Sequence, residues 1–283
     1  MKTGQQSKSK RQGERPDRLP VSVSGPITLL TDFGTADYYV GAMKGVILSI
    51  NPSAAIVDVT HDVSPQDIEH AAFVLMSCYR EFPAGTIHLA VVDPGVGSVR
   101  RAILIAAAGQ FFVGPDNGVF SYILDNEEDA SVFQITASQY FRQPLSNTFH
   151  GRDVFAPVGA HLSKGTSPGS FGPMIEDAVR LRPVKAEATN PGKVKGRLLH
   201  IDRFGNCVTN IDQSGLNEGA RLLVNKKKIT SFHTSYAEAK RGLFAIGGSA
   251  GFLEISVRNG SAAKVLKAKR GDEVTFNMKR PSS

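Results

Sequence analysis

The sequence has 283 residues, of which 41% are apolar, and a formal net charge of +7. A chain of this length can form one large domain or two of ordinary size. It contains no run of about 20 apolar residues that could span a membrane, and its start, MKTGQQSKSKRQGERPDRLP, lacks the apolar segment of a secretory signal. We therefore expect a cytoplasmic protein without membrane contact.

The positive charge is concentrated at the start of the sequence. Residues 1–20 carry six Lys or Arg against two Asp or Glu, which accounts for +4 of the total. This composition predicts a disordered basic tail over residues 1–24, and the small remaining excess gives no reason to expect nucleic-acid binding. Because Cys78 and Cys207 are far apart, neither a disulfide framework nor a cysteine-based metal site is expected.

Strand and helix patterns alternate after the tail. The predicted strands are ITLLTDFG, AAIVDVTHDV, TIHLAVVDPGVG, RAILIAAAG and FFVGPDNG, and the predicted helices are YYVGAMKGVILSIN, DIEHAAFVLMSCYREF and FHGRDVFAPVGAHLSKG. Ser64 provides a cap for the second helix, and Pro65 suits its first turn. The alternation predicts an α/β domain over residues 25–182, with a mostly parallel sheet and helices on both of its faces.

The pattern changes near residue 183. Residues 183–194 are poor in apolar side chains and are predicted to be a linker. Short alternating runs follow at close intervals, in RLLHIDRFGN, CVTNID, RLLVNKKKIT, GLFAIGG, GFLEISVRNG and DEVTFNM. They predict a smaller antiparallel β-barrel domain over residues 195–283.

Polar residues stand where predicted strands end. In AVVDPGVG, Asp93 closes an apolar run before a Pro and Gly turn, and Asp32 holds the same position in TDFG. His150 precedes Gly151 at a predicted helix start. The carboxyl edge of an α/β sheet is where such folds place their ligands, but Asp also caps ordinary turns. From the residues alone, both interpretations stay open.

Familiar catalytic motifs are missing. GVGSVR begins like a dinucleotide-binding loop but ends in Arg100, and no P-loop, GxSxG or HExxH motif occurs. The acidic and histidine residues at strand ends could alternatively bind a metal for phosphoester hydrolysis. These residues are Asp32, Asp37, Asp58, His61, Asp62, Asp93, His150 and Asp153.

Seven stretches, taken in order, resemble one family. They are TDFGTADYYVGAMKG, DVTHDVSPQDIEHAAFVL, VVDPGVGSVRR, GPDNGVFS, FHGRDVFAPVGAHL, IDRFGNCVTNI and GFLEISVRNGSAA. The family is that of the S-adenosyl-L-methionine (SAM) hydroxide adenosyltransferases, or SAM hydrolases, which are related to fluorinating and chlorinating enzymes. The resemblance covers nearly all of residues 27–265.

The resemblance implies a homotrimer with its substrate, SAM, between the first domain of one subunit and the second domain of its neighbour. It implies attack of water on the ribose 5′ carbon, giving adenosine and L-methionine, without a metal or other cofactor. The implied catalytic residues are Asp93, Arg100 and His150, with Asp32 at the ribose. The implied contacts in the second domain are Phe204, Asn206, Arg258 and Asn259 at the adenine, and Asp202 and Ser249 at the methionine.

The sequence departs from the family pattern beside Ser249. Gly248 stands where the family often has Asn, and Ala250 replaces a basic residue of the halogenating relatives. Three other functions remain as alternatives at this point: a metal-dependent phosphoesterase, a protein that binds adenosine or SAM without catalysis, and an enzyme that transfers the adenosyl group to halide.

Overall fold

The structure is a computed structural model that describes residues 25–215 and 219–277. The predicted basic tail lies outside the described residues. The chain forms two sheets, one of seven strands and one of eight. No helix in the described ranges is long and apolar enough to cross a membrane.

The first sheet has the strand order β2-β1-β3-β5-β4-β6-β7. Its strands are β1 (Ile27–Thr31), β2 (Ile56–Thr60), β3 (Ile87–Val91), β4 (Ala102–Ala107), β5 (Gln110–Pro115), β6 (Ser131–Gln134) and β7 (Met174–Ile175). Strand β1 pairs in parallel with β2 and β3, and β3 pairs in parallel with β5.

The prediction of a mostly parallel sheet is only partly matched. Strand β4 pairs antiparallel with β5 and β6, and β6 pairs antiparallel with β7. Ala108 and Gly109, both with positive φ, are the only residues between β4 and β5. A two-residue turn can join only antiparallel strands. The sheet is therefore mixed.

Helices cover both faces of this sheet, as predicted. They are α1 (Tyr39–Ile50), α2 (Ile68–Cys78), α3 (Ser121–Asn126) and α4 (Ala156–Ser163). Helices α1 and α4 share one apolar core with β1 and β3, and α2 and α3 contribute to a second core. Helix α2 begins later than predicted, because its capping side chain is Asp67 and not Ser64.

The second sheet is antiparallel and nearly closed. Its strands are β8 (Glu187–Asn190), β9 (Lys193–Ile201), β10 (Cys207–Asp212), β11 (Arg221–Val224), β12 (Lys227–Ile229), β13 (Leu243–Gly247), β14 (Phe252–Val257) and β15 (Glu273–Asn277). They follow the order β12-β11-β15-β9-β10-β14-β13, with β8 beside β9. Phe232, just after β12, forms a bridge with Ala245 of β13 and brings the two ends together. Helix α5 (Ala262–Leu266) packs on its core.

The two sheets meet where α2 lies against β9. Arg197 on β9 donates to Glu69 of α2 at 2.9 Å, and Phe73 of α2 stacks on His200 of β9 with ring centroids 5.0 Å apart. Strand β8 lies within residues 183–194, which the sequence predicts to be a linker. The domain boundaries stay predictions.

Candidate active site

The carboxyl ends of β1 and β3 bring two candidate residues to one edge of the first sheet. The strands are parallel neighbours, with Thr31 opposite Val91. Asp32 follows β1 directly, and Asp93 lies two residues beyond β3. Ligands of α/β folds bind at this edge.

The turn after Asp93 folds tightly on itself. Val96 N–H donates to the Asp93 carbonyl at 3.2 Å, and the Ser98 hydroxyl donates to the Gly95 carbonyl at 2.7 Å. Gly97 has φ +78°, and a Cβ there would lie 2.3 Å from the Asn147 carbonyl oxygen. The turn therefore requires glycine at this position.

This turn brings Arg100 back onto Asp93. The guanidinium of Arg100 donates from Nε to Asp93 Oδ1 at 2.9 Å and from Nη2 to Asp93 Oδ2. Nη2 also donates to His150 Nδ1 at 2.8 Å. The guanidinium lies 5.3 Å from the ring centroid of Phe155, which is fully buried. The structure thus places the three predicted catalytic side chains in one contact cluster.

His150 enters the cluster from the start of a helix. One π-helical turn, Gly151–Phe155, follows it and continues into α4. Burial, followed by the nearby Arg100 charge, holds the pKa of His150 below its usual value of 6.5. Since Nδ1 accepts from Arg100, the neutral ring carries its proton on Nε2. His150 is therefore a neutral N–H donor near pH 7.

The cluster borders a small cavity of about 160 Å³. Asp93 and His150 line it together with an aromatic wall of Phe33, Tyr39 and Phe149. The ring centroids in this wall are 5.2 to 5.8 Å apart. Such a wall excludes bulk water and strengthens the electrostatic interactions beside it.

Asp32 has one carboxylate oxygen committed and one open. Its Oδ2 accepts the backbone N–H of Gln66 at 2.8 Å, and no hydrogen bond to Oδ1 is found among the described residues. Gln66 has φ +63°, which is uncommon for a residue with a side chain. A ligand hydroxyl can donate to the open oxygen.

Two other acidic and histidine candidates have hydrogen-bond partners outside this cluster. His61 is buried and hydrogen-bonds Thr31 at 2.8 Å. Asp153 is buried and pairs with Arg152 at 2.7 Å. In the ranges that the structure describes, no group of three or more His, Cys, Asp or Glu residues is arranged to hold a metal ion.

The second sheet carries a larger cavity of about 740 Å³. Its lining includes all six residues predicted for the second domain: Asp202, Phe204, Asn206, Ser249, Arg258 and Asn259. Phe204 is 77% exposed, so its ring is available for stacking. The volume falls in the ordinary range for small-molecule sites, roughly 300 to 1,000 Å³.

Asp202 lines the cavity, but its carboxylate makes its hydrogen bonds within the RFGN turn. Its Oδ1 accepts the backbone N–H groups of Phe204 and Asn206 at 2.9 and 2.8 Å, and its Oδ2 accepts from Asn206 Nδ2 at 2.9 Å. Gly205 has φ +84°, and a Cβ there would clash with Ser261. These bonds commit both carboxylate oxygens to the turn.

Two residues of this cavity were missed by the sequence analysis. Glu254 is 8% exposed and lies on β14, and its Oε1 accepts from the Tyr236 and Ser256 hydroxyls at 2.5 and 2.7 Å. No hydrogen bond to Oε2 is found within the described ranges. Burial and Glu254 raise the pKa of Tyr236 to about 12, so its phenol stays a donor. An acidic residue within the apolar run FLEISV was the available signal for Glu254.

The two groups of residues do not meet within one chain. The cavity beside Asp93 and the cavity beside Asp202 share no lining residue. The first is too small for a nucleoside, whereas the second lacks the Asp93 cluster.

Two family models match the chain. The SAM hydroxide adenosyltransferase N-terminal domain matches residues 27–172, and the corresponding C-terminal domain matches residues 196–275. The chain belongs to the SAM hydroxide adenosyltransferase family. All ten site residues predicted from the sequence lie within the ranges matched by the SAM hydroxide adenosyltransferase models.

Several proteins resemble this SAM hydroxide adenosyltransferase family member along most of their length. A Methanocaldococcus jannaschii protein named (R)-S-adenosyl-L-methionine hydrolase is 38% identical, with 88% of this chain and 94% of the relative covered. A Thermus thermophilus protein of the same name is also 38% identical, with 87% and 97% covered. A fluorinase from Actinopolyspora mzabensis is 24% identical, with 89% and 97% covered.

Solved structures show the same fold. A conserved protein from Thermotoga maritima matches with a TM-score of 0.83 and 38% identity, over 89% of this chain and 99% of that one. A conserved hypothetical protein from Thermus thermophilus matches with a TM-score of 0.74 and 35% identity, over the same shares.

Proposed function

We propose that this protein hydrolyses SAM to adenosine and L-methionine. The observation that supports this most is the contact of Asp93, Arg100 and His150 at the carboxyl edge of the first sheet. Relatives at 36 to 38% identity are named (R)-S-adenosyl-L-methionine hydrolase, so we propose the (R) sulfonium epimer as the substrate.

The reaction needs an activated water more than an activated leaving group. An oxygen–C5′ bond forms as the C5′–sulfur bond breaks, and the bonding pair leaves on the sulfur of methionine as a neutral thioether. The departure therefore requires neither an acid nor a metal. Water is a weak nucleophile and must lie about 3 to 3.5 Å from the carbon, in line with the sulfur.

The cluster has the groups for that task. Asp93 accepts the proton of the water as general base. Arg100 keeps the carboxylate in place and offers positive charge to the developing hydroxide. Neutral His150 donates from Nε2 to the water oxygen and thereby orients it.

We propose that the remaining residues bind the substrate. Asp32 accepts from the ribose hydroxyls, and Phe204, Asn206, Arg258 and Asn259 surround the adenine. Ser249 and Glu254 bind the amino-acid end, where the open carboxylate oxygen of Glu254 meets the ammonium group. Asp202 acts there through the turn that it holds.

Labelled water tests the proposed reaction. After incubation of the purified protein with (R)-SAM in ¹⁸O-water and EDTA, we expect ¹⁸O in the adenosine 5′-hydroxyl and none in methionine, by mass spectrometry. The (S) epimer should react much more slowly. Activity that disappears with EDTA and returns with a divalent ion would instead favour a metal-dependent phosphoesterase, and binding without turnover would favour a noncatalytic protein.

We also propose a homotrimer in which each site combines the two domains of neighbouring subunits. Three features support this: the separate cavities, the 77% exposure of Phe204, and the exposed side chains of Tyr38, whose ring contacts that of Tyr39, and Val99, which precedes Arg100 in the chain. Exposed apolar groups of this kind mark interaction surfaces.

Mixing two inactive variants tests the shared site. Asp93→Asn damages only the first cavity, and the double change Phe204→Ala with Glu254→Gln damages only the second. In randomly mixed trimers, about a quarter of the sites pair two intact halves, so activity at low SAM should return. Mixtures that stay inactive after subunit exchange, verified by mass spectrometry, would show that each site lies within one chain.

The protein is further proposed to act in the cytoplasm. Its two cysteines are free, one of them buried, and free thiols fit a reducing compartment.

A further inference from the structure

Arg270 and Asp67 form an ion pair between the two domains, one residue away from the Gln66 N–H that bonds Asp32. Arg270 precedes β15 of the second sheet, and its Nη1 donates to Asp67 Oδ2. Its Nε donates to the Leu199 carbonyl at 2.9 Å, which fixes the guanidinium on the barrel. The two paired side chains are half-buried, at 23% and 28% exposed. Arg270 Nη2 also lies 3.8 Å from Glu69 Oε2.

Asp67 and its neighbour Gln66 bond to different parts of the molecule. Asp67 caps α2, because its Oδ1 accepts the His70 N–H at 3.0 Å. Gln66 donates its backbone N–H to Asp32 Oδ2 at 2.8 Å. A turn of two residues therefore connects Arg270 of the barrel to Asp32 at the edge of the first sheet.

The backbone conformation of this turn is intrinsically unfavourable at Gln66. Gln66 is exposed and has φ +63°, a conformation that persists only when its surroundings fix it. Within the turn, Asp67 N–H donates to the Ser64 carbonyl at 3.0 Å and Ser64 N–H donates to His70 Nδ1 at 3.2 Å. Helix α2 also holds Asp67, through the His70 N–H on Oδ1 and the Ala71 N–H on the Asp67 carbonyl at 3.1 Å. The ion pair with Arg270 holds Asp67 from the second sheet.

We propose that Arg270 is a positioning residue for recognition of the ribose cis-diol. By holding Asp67, it keeps the Gln66 N–H on Asp32 Oδ2, so that Oδ1 of the same carboxylate faces the two hydroxyls. This inference rests on the proposed function, which gives Asp32 its ribose contact. Arg270 itself touches no substrate.

The test compares adenosine with 2′,3′-dideoxyadenosine, which lacks both hydroxyls. Calorimetry gives the ratio of their dissociation constants for each variant. We expect Asp32→Ala to reduce the preference of the native protein for adenosine by about tenfold, as loss of a charged hydrogen bond implies. Arg270→Gln should reduce it about fivefold and raise KM for SAM by a similar factor, with kcat nearly unchanged. Arg270→Lys should restore part of the preference.

Arg197→Gln is the matched control. Arg197 also joins the barrel to α2, through Glu69, the Pro183 carbonyl and the Tyr122 hydroxyl. Among the described residues, no hydrogen bond from Arg197 to the turn at Gln66 and Asp67 is found. Loss of that arginine should weaken the domain contact and lower Tm while leaving the adenosine preference unchanged. A merely structural role for Arg270 would give the same result as this control.

A second variant covers the case in which Arg270→Gln fails to fold. Asp67→Ser keeps a capping oxygen for α2 but cannot hold Arg270, and it should reduce the preference as Arg270→Gln does. If Asp32→Ala reduces the preference while Arg270→Gln and Asp67→Ser do not, the positioning role is wrong and the ribose role stands. If Asp32→Ala leaves the preference unchanged, the ribose role of Asp32 is wrong, and the positioning role fails with it.

Discussion

The two cavities of this protein differ in how their charges are satisfied. Beside the small cavity, Asp93, Arg100 and His150 bind one another before any ligand arrives, and the Arg100 and Asp93 side chains are 11% and 6% exposed. In the large cavity, the buried Glu254 has one oxygen bound to hydroxyls and one open, and Phe204 is exposed. The first arrangement is already organised for chemistry, whereas the second still lacks contacts that a ligand can supply.

Because of this difference, we expect changes beside the first cavity to affect the rate of reaction and changes in the second cavity to affect substrate affinity. A change beside the first cavity should lower kcat, because it removes an interaction made in the transition state. A change in the second should raise KM, because it removes binding energy that substrate and transition state share. Each prediction below tests one side of this division.

Asp93→Asn should have the largest effect. The amide cannot accept the proton of the water, so kcat should fall roughly 10² to 10⁴-fold, the usual contribution of a general base, while the dissociation constant of adenosine changes little. Turnover followed by chromatography and calorimetry with adenosine give the two numbers. Asp177→Asn, at an exposed carboxylate that pairs with Arg101, is the control. Native turnover in Asp93→Asn would reject its role as base.

Glu254→Gln, in the second cavity, should have the next largest effect. The variant keeps the shape and the hydrogen bond from Tyr236 but loses the negative charge proposed to meet the substrate ammonium. KM for SAM should rise about tenfold or more, while the affinity for adenosine, which lacks the ammonium, should stay nearly native. An equal loss for SAM and adenosine would contradict this contact.

Phe204→Ala should have a smaller effect. Stacking of a base on an aromatic ring contributes roughly 1 to 3 kcal/mol, so the affinities for SAM and adenosine should both fall about 5 to 150-fold, with kcat preserved. Phe204→Tyr keeps the ring and serves as the control. A fall in kcat alone would mean that the division between the two cavities does not hold.

The pH dependence should show the smallest change. The folded pKa of His150 is lowered from its usual value of 6.5, first by burial and then by Arg100, so the ring is mostly neutral at pH 6.5 and above. We expect kcat to change less than about twofold between pH 7.5 and 6.5, and to fall only at more acidic pH. A decline centred at or above 6.5 would show that the active form is not the neutral ring held by Arg100.

Local patterns were enough for most of the fold. The apolar runs predicted strands β1 to β5 and the barrel strands β9 to β15, because the alternation and the turn residues lie within each segment. Strand β8 was missed, since residues 183–194 were predicted to be a linker. The AAAGQ stretch between β4 and β5 also contained the two-residue turn that makes the sheet mixed, but the interpretation as a parallel sheet overlooked it. For α2, the sequence predicted Ser64 as the cap, and only the structure shows that Asp67 caps the helix instead.

The sequence by itself determined which residues stand at strand ends and in turns, since Asp93, Gly97 and Arg100 belong to one short segment. Their resemblance to a family pointed to His150, fifty residues away. Only the tertiary structure decided that these side chains touch, that Asp202 serves its own turn, and that Glu254 and Tyr236 join the second cavity. It also connected Arg270 with Asp67, which are 203 positions apart in the chain. Contacts between distant segments depend on how sheets and helices pack. A periodic pattern within one segment predicts its secondary structure but not the distant residues that it will contact.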